Sequence, residues 1–591
     1  MMDRKLLLVA INAKYIHSNL AVHSLKAYAQ EYQEYIHVAE YTINHRVSYI
    51  LQEIYKQKPK VLCFSCYIWN FRYVQELVVD LHKLLPQMPI WVGGPEVSYE
   101  PEQFLQGYPM VTGVMLGEGE ETFRELCGYY LQDAGLPLKL ENQEQMCRLG
   151  QQKNNTDGLH KISGLLFRNG KGDFVRTSPR PPLPMDELPF CYANLEDFEN
   201  RIIYYETSRG CPFSCSYCLS SIEKGLRFRS FSLVKEELQF FLDHRVPQVK
   251  FVDRTFNCSH SHAMAIWQYL KEHDNGITNF HFEISADLLT EEEITLLISL
   301  RPGLVQLEIG VQSTYAPTIC EIRRTMDLSR LEAAFKRIQQ AGNIHQHLDL
   351  IAGLPKEGFS AFAESFRQIY QWKPQQLQLG FLKVLKGSYM YRHQEEYGLS
   401  YQEYPPYEVL ATKWISYDGL LDIKLVEEML EVYYNSGQFG LTMKILELTQ
   451  DNPFYLFLEL GKFYERKGLL AASHSRLRRC EILLEFAKEQ DRGHLELYQE
   501  ALTFDLYYRE NMKTRPSWAP NLSEYKAETQ KYCKKGKLSH LEPFWYDMES
   551  IKESYTLHAY PEKMLEKQFW LFSYEERDPL TRQAKAIKIQ I

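Results

Sequence analysis

The chain has 591 residues, with 67 Lys+Arg against 76 Asp+Glu and 12 Cys. At about 150 residues per domain this is a protein of several domains. Its 45% hydrophobic and 24% charged content excludes a disordered chain, a collagen-like fibre and a small disulfide scaffold. The net charge of −9 speaks against wholesale binding to nucleic acid. No apolar run reaches the ~18 residues of a membrane span, and Met1–Lys5 leads into only a short apolar stretch, so no export signal is expected. The cysteines are scattered except for one cluster. That usage fits a cytoplasmic protein whose thiols serve metal binding or packing.

The first part alternates short β-rich runs with amphipathic stretches. Strands are expected at 6–11, 36–41, 61–65, 90–93 and 114–117, with helices between them at 20–29, 47–56 and 74–85. This spacing predicts a parallel sheet with helices on both faces. Ligands of such sheets sit beyond the carboxyl ends of the strands. Those ends carry Ser65-Cys66-Tyr67, Gly93-Gly94-Pro95-Glu96 and Gly117-Glu118-Gly119-Glu120. Glycines there let the backbone approach a bulky ligand, although each loop taken alone also reads as plain turn chemistry. A polar stretch at 143–158 lacks periodicity. Residues 162–168 and 174–176, split by Asn169-Gly170, predict a β-hairpin. Pro179-Arg180-Pro181-Pro182-Leu183-Pro184 then reads as an extended linker.

A second α/β series begins near Arg201. Its strands are expected at 202–207, 249–253, 280–285, 305–312, 347–351 and 377–382, separated by helices such as 233–242, 291–298 and 331–341. Six such units fit a full or partial barrel with its site at the carboxyl ends of the strands. From about Tyr401 the alternation stops and the chain reads as helices rich in Leu, Tyr and Glu. The basic stretch Lys531–Lys537 reads as a solvated face. The expected division is 1–140, an α/β domain; 141–200, hairpin and proline-rich linker; 201–395, the second α/β series; and 396–591, a helical domain.

The strongest chemical signal is Thr207-Ser208-Arg209-Gly210-Cys211-Pro212-Phe213-Ser214-Cys215-Ser216-Tyr217-Cys218. It follows the first strand of the second series. Three thiolates at Cys-x-x-x-Cys-x-x-Cys spacing can hold three irons of a [4Fe–4S] cluster on one loop, leaving the fourth iron open. Zinc would want four ligands. No fourth Cys or His lies close by in sequence, since His244 and Cys258 belong to other elements.

This loop, with an aromatic residue before its third cysteine, resembles that of the radical S-adenosylmethionine enzymes. The stretches Phe282–Asp287, Leu307–Ser313 and Leu348–Pro355 resemble their third, fourth and fifth strand motifs. The resemblance implies that Cys211, Cys215 and Cys218 ligate the cluster. It also implies that Tyr217, Asp253, Glu283, Glu308, Gln312 and Arg323 (or Arg324) contact S-adenosylmethionine. Asp253 replaces the usual glycine-rich element at the second strand. The family's outcome is a 5′-deoxyadenosyl radical, with low-potential electrons from a flavodoxin or ferredoxin.

An α/β domain ahead of this barrel resembles the cobalamin-binding subgroup of the same superfamily. That implies a flavodoxin-like first domain in which Ser65, Gly93, Gly94, Pro95, Gly117, Glu118 and Gly119 receive cobalamin. The Asp-x-His-x-x-Gly loop of cobalamin-dependent mutases is absent; the chain reads Asn12-Ala13-Lys14-Tyr15-Ile16-His17-Ser18. No histidine is therefore placed to ligate cobalt. The tail resembles the uncharacterised helical extension of one clade of these proteins. The expected activity is methyl transfer to an unactivated centre of an unidentified substrate. A radical cyclase of the anaerobic magnesium-protoporphyrin ester type, a methylthiotransferase and a non-catalytic sensor are the other readings. No membrane or nucleic-acid partner is indicated.

Overall fold

A computed structural model describes residues 6–132, 156–222, 225–533, 538–578 and 580–590. Most of the polar stretch at 143–158, and the end of the basic stretch at 534–537, lie outside the described residues. The chain divides into two compact units. The first contains residues 1–283, 383–396 and 400–409; the second contains 284–382, 397–399 and 410–591.

The first unit opens with a seven-stranded sheet in the order β2-β1-β3-β4-β5-β6-β7. These strands are β1 (Leu6–Asn12), β2 (Ile36–Thr42), β3 (Val61–Ser65), β4 (Ile90–Gly93), β5 (Gly113–Met115), β6 (Leu165–Arg168) and β7 (Phe174–Arg176). The first five pair in parallel, and β6 and β7 add antiparallel. Every residue of β1 is buried, as a parallel strand with both faces covered must be. Helix Phe71–Leu84 buries Phe71, Val74, Leu77, Val78 and Leu81, a stripe at helical spacing that packs in one of the cores flanking the sheet.

The expected hairpin exists, but it does not stand apart as a linker. It pairs with β5 and extends the first sheet, covering an edge that would otherwise present unpaired backbone groups. The proline-rich segment is likewise fastened. Arg180 pairs with Glu125, and the Leu183 N–H donates to Glu118 Oε2 at 2.9 Å.

The same unit holds three strands of the second series: β8 (Ile203–Tyr205), β11 (Gln248–Phe251) and β12 (Asn279–Ile284), with β11 parallel to both others. A short antiparallel ladder, β9 (Ser208–Arg209) with β10 (Arg227–Phe228), lies between β8 and β11 in sequence. The second unit carries β13 (Val305–Gln312), β14 (His345–Ala352) and β15 (Gln376–Phe381), parallel and in that order. All six expected strands of the series are therefore present. The remainder is helical, with helices at Tyr417–Leu430, Pro453–Arg466, Arg476–Gln490 and Leu495–Arg509. A three-stranded antiparallel sheet of Ser539–Tyr546, Lys563–Arg577 and Ala584–Ile589 completes it. No described helix is long and apolar enough to cross a membrane.

Candidate cofactor sites

The cysteine loop is closed at its base. β9 and β10 pair Arg209 with Arg227 and Ser208 with Phe228, so the cysteine loop starts from a tied base. Gly210 has φ +99°, and a side chain there would collide with the Gly225 carbonyl. Only glycine fits that position. Cys211 and Cys215 are buried and Cys218 is half-buried. The Cys218 N–H donates to the Cys215 carbonyl at 3.2 Å.

Asp253, expected to face the cofactor's amine, is fully buried, and its carboxylate is occupied. It accepts from the Thr207 N–H at 3.1 Å, the Thr207 hydroxyl at 2.7 Å and the Ser208 hydroxyl at 2.5 Å. The end of β11 thereby holds the start of the cysteine loop. His262, 3.0 Å from the Thr207 hydroxyl, is pushed down to about 4 by burial and is neutral.

Arg209 precedes the glycine of this loop and carries a network that sequence reading misses. It pairs with Glu120 at 2.6 Å, Glu206 at 2.9 Å and Glu118 at 3.4 Å, and Arg227 also pairs with Glu118. Burial works against the Glu118 carboxylate. Hydrogen bonds from Arg227 and Leu183, with the charges of both arginines, nevertheless hold it below the usual range. Burial pushes Glu206 up despite Arg209. Removing one member of such a buried set leaves uncompensated charge, at about 3–5 kcal/mol. The side chain of Glu118, expected beside cobalamin, is thus committed to joining the β5–helix turn to the cysteine loop.

At the carboxyl ends of the first sheet, Ser65, Gly93 and Met115 are lateral neighbours in register. Gly94 has φ +113°, and a Cβ there would lie 2.5 Å from the Cys66 carbonyl oxygen. Pro95 opens the short helix Pro95–Ser98. Gly117 has open space where a Cβ would point, and Gly119 faces Leu25. Bare backbone along this rim leaves room for a bulky planar ligand, so the residues present fit cobalamin. Sequence reading misses Tyr67 and Trp69, whose rings stack at 4.5 Å while Trp69 Nε1 donates to the Ile11 carbonyl. The only local signal is two aromatics just past a strand. His17 sits 2.6 Å from the Tyr204 hydroxyl through Nδ1, and burial lowers its pKa.

In the first unit Tyr217 and Glu283 are half-buried, Glu283 near the end of β12. In the second unit Glu308 and Gln312 share the less buried face of β13. Gln312 has φ +73°, and its buried Oε1 has no protein partner. That is an acceptor free for a ligand hydroxyl or amine. Arg323 is exposed with φ +56°, and Arg324 donates to the Gly310 carbonyl. Glu308 lies opposite His347 across β13 and β14. Glu308, His347 and Asp349 bring ligand atoms within 4.8 Å of one another, with His347 Nε2 3.0 Å from Asp349. Nothing in the sequence pairs His347 with Glu308; only the register of the two strands does.

Glu357 follows the β14 motif and is buried. It accepts from the Ser313 hydroxyl at 2.7 Å and the Ser365 hydroxyl at 2.9 Å, bracing the turn after β13. Burial raises its pKa to about 7. Between an unfolded value near 4.5 and about 7 the folded chain holds a proton that the unfolded chain has lost. Stability therefore falls with rising pH in that window, by about 1.4 kcal/mol per unit for this group, and levels off above it. Glu357→Gln should flatten this slope. The check is the difference in Tm between variant and parent, which should shift in the variant's favour from pH 5 to pH 7.5. A constant difference would show that the group does not titrate there.

Three family models match successive parts of the chain. These are a B12 binding domain at residues 6–127, the Radical SAM superfamily at 205–369, and a protein of unknown function (DUF4080) at 395–567. A 2-(S-pantetheinyl)-carbapenam-3-carboxylate methyltransferase of Streptantibioticus cattleyicolor is 27% identical over 357 residues, 53% of this chain and 45% of that protein. The cobalamin-dependent radical SAM methyltransferase TokK of Streptomyces tokunonensis is 25% identical over 340 residues, with the same coverage. The match thus spans less than half the length of these relatives. The solved structure of the cobalamin-dependent S-adenosylmethionine radical enzyme OxsB, with aqua-cobalamin and S-adenosylmethionine bound, aligns with a TM-score of 0.54. That alignment has 16% identity and covers 85% of this chain and 79% of OxsB. Successive parts of the chain thus match a B12 binding domain, the Radical SAM superfamily and DUF4080, and the first two matches imply cobalamin, a [4Fe–4S] cluster and S-adenosylmethionine as cofactors.

Proposed function

We propose that the protein is a cobalamin-dependent radical S-adenosylmethionine methyltransferase acting on an unactivated centre. One observation carries the reading. Arg209 of the cysteine loop is ion-paired to Glu118 and Glu120 of the turn that ends the B12 binding domain, so both cofactor motifs are built into one compact unit.

When bound, the cluster and S-adenosylmethionine supply a hydrogen-abstracting radical, and cobalamin supplies a methyl carrier. Cys211, Cys215 and Cys218 would hold the cluster. Asp253, through Thr207 and Ser208, keeps their loop in place before any cofactor arrives. Tyr217, Glu283, Glu308, Gln312 and Arg323 are the proposed partners of S-adenosylmethionine, with the Gln312 carbonyl as an acceptor. Ser65, the Gly93–Pro95 backbone and the Gly117–Gly119 turn would receive cobalamin. This reading divides the chain into a cobalamin-binding domain (1–140), a hairpin and connection (141–200), a radical SAM domain (201–395) and a C-terminal domain (396–591). A radical SAM enzyme needs a reductant and a substrate; a cytoplasmic flavodoxin or ferredoxin is the proposed donor.

The test is an anaerobic incubation with methyl-deuterated S-adenosylmethionine, a strong reductant and cell extract. Methyl transfer predicts 5′-deoxyadenosine and S-adenosylhomocysteine in comparable amounts, and a product heavier by one labelled methyl. Formation of 5′-deoxyadenosine with an unlabelled product would instead assign a cyclase or another radical reaction.

A further inference from the structure

A segment that no cofactor motif explains reaches both cofactor motifs of the first unit. Residues 383–396 and 400–409 cluster with that unit, and their ends are tied together. The Val384 N–H donates to the Tyr407 carbonyl at 3.0 Å, and Lys383 bridges Glu408. The segment is therefore a closed strap with two loaded sides.

One side holds the loop after β4. The Tyr407 hydroxyl donates to Glu96 Oε2 at 2.9 Å, with both residues buried. Glu96 is two residues past Gly94. The Tyr391 hydroxyl donates to Glu100 at 2.7 Å, and Lys386 pairs with the other oxygen of Glu100 at 3.1 Å. Gly387, at φ +85°, lies under the Tyr99 ring so closely that a side chain would collide with it. The other side holds the cysteine loop. The Met390 N–H donates to the Ser216 carbonyl at 3.0 Å. Met390 and Ser216 are both buried, and Ser216 lies between Cys215 and Tyr217.

We propose that this strap is a positioning element that sets the Gly93–Pro95 rim against the cysteine loop. Its chemistry supports a fixed brace in preference to incidental packing. A buried carboxylate needs its hydrogen bond, because leaving it unmade strands the group without water. A backbone N–H aimed at a loop carbonyl fixes direction as well as distance. The contacts fall on the two segments adjacent to the rim and to two cluster cysteines. Tyr407 and Tyr391 are thus positioning residues, reaching each cofactor only through another segment. Tyr407 also gives a role to the opening stretch of the DUF4080 match, which begins at residue 395.

The rim and cluster assignments are those proposed above, but the primary readout does not depend on the reaction. In the reconstituted holoprotein, Tyr407→Phe removes one hydroxyl and leaves the Glu96 carboxylate without its donor. Hydrogen exchange should quicken by about fivefold or more in peptides covering 383–409. It should quicken in the same variant in peptides covering 210–222, which Tyr407 does not touch. Iron content should be unchanged. Tyr391→Phe, at a half-exposed contact, should give the same pattern more weakly and serves if Tyr407→Phe does not fold. Electron paramagnetic resonance of the reduced cluster should broaden or shift in both variants. Faster exchange confined to 383–409, with an unchanged cluster signal, would overturn the proposal and leave the strap as packing. If the coupling holds but no methyl is transferred, the functional reading fails and the brace stands.

Discussion

Cys215→Ala should leave the protein with less than about one iron per chain after anaerobic reconstitution, against about four in the parent. Brown absorbance, 5′-deoxyadenosine and methylated product should disappear together. Two thiolates cannot retain a cluster that three sequence-local cysteines must hold, and no other cysteine belongs to the loop. The fold should survive. The loop's entry and exit are tied by the β9–β10 ladder, and Asp253 grips Thr207 and Ser208 through three hydrogen bonds. None of these contacts uses the Cys215 side chain. Circular dichroism and Tm of the apoprotein forms should therefore agree within a few degrees. Stoichiometric zinc in parent protein purified without oxygen, and no iron after reconstitution, would overturn the cluster assignment.

Features set by neighbours in the chain are legible in the sequence itself. The cysteine spacing is one. The strands at 61–65, 90–93 and 305–312 are others, and they fall where expected, because short β-branched runs bounded by turns carry their own signal. Long-range partners are not legible. Asp253 finds Thr207 and Ser208 across some 46 residues. Glu118 reaches Arg227 across 109 residues and Tyr407 reaches Glu96 across 311. No periodicity encodes such pairings. The C-terminal sheet is hidden from sequence reading for a related reason. The strand Lys563–Arg577 is charged at both ends, carries a nearly fully exposed Leu565 and buries only Trp570, Phe572 and Tyr574. Its alternation is confined to the middle, and it is a strand because it has partners on both sides.

Two adjacent glycines on the proposed cobalamin rim should behave differently, and the contrast tests the domain's role. At Gly93 a Cβ would make ordinary contact with Met115 at 3.5 Å, and a β-branched residue suits the end of a strand. Gly93→Val should therefore fold. Its methyl groups would stand beside Ser65 and Met115, on the rim where cobalamin needs bare backbone. Cobalamin Kd should rise at least about tenfold, the equivalent of about 1.4 kcal/mol, with iron content unchanged. At Gly94 the added Cβ meets the Cys66 carbonyl oxygen at 2.5 Å, and φ is +113°. Gly94→Ala should thus strain the backbone by about 1–3 kcal/mol and lower Tm before it tells anything about binding. A bulky residue at Gly94 is for that reason the wrong obstruction. In the parent, bound cob(II)alamin should show no nitrogen splitting from a protein imidazole, because the loop after β1 lacks the Asp-x-His-x-x-Gly sequence that places such a ligand. Full cobalamin affinity in Gly93→Val would move the binding surface away from this rim. An imidazole splitting that vanished in His17→Ala would make His17 a cobalt ligand and overturn that expectation.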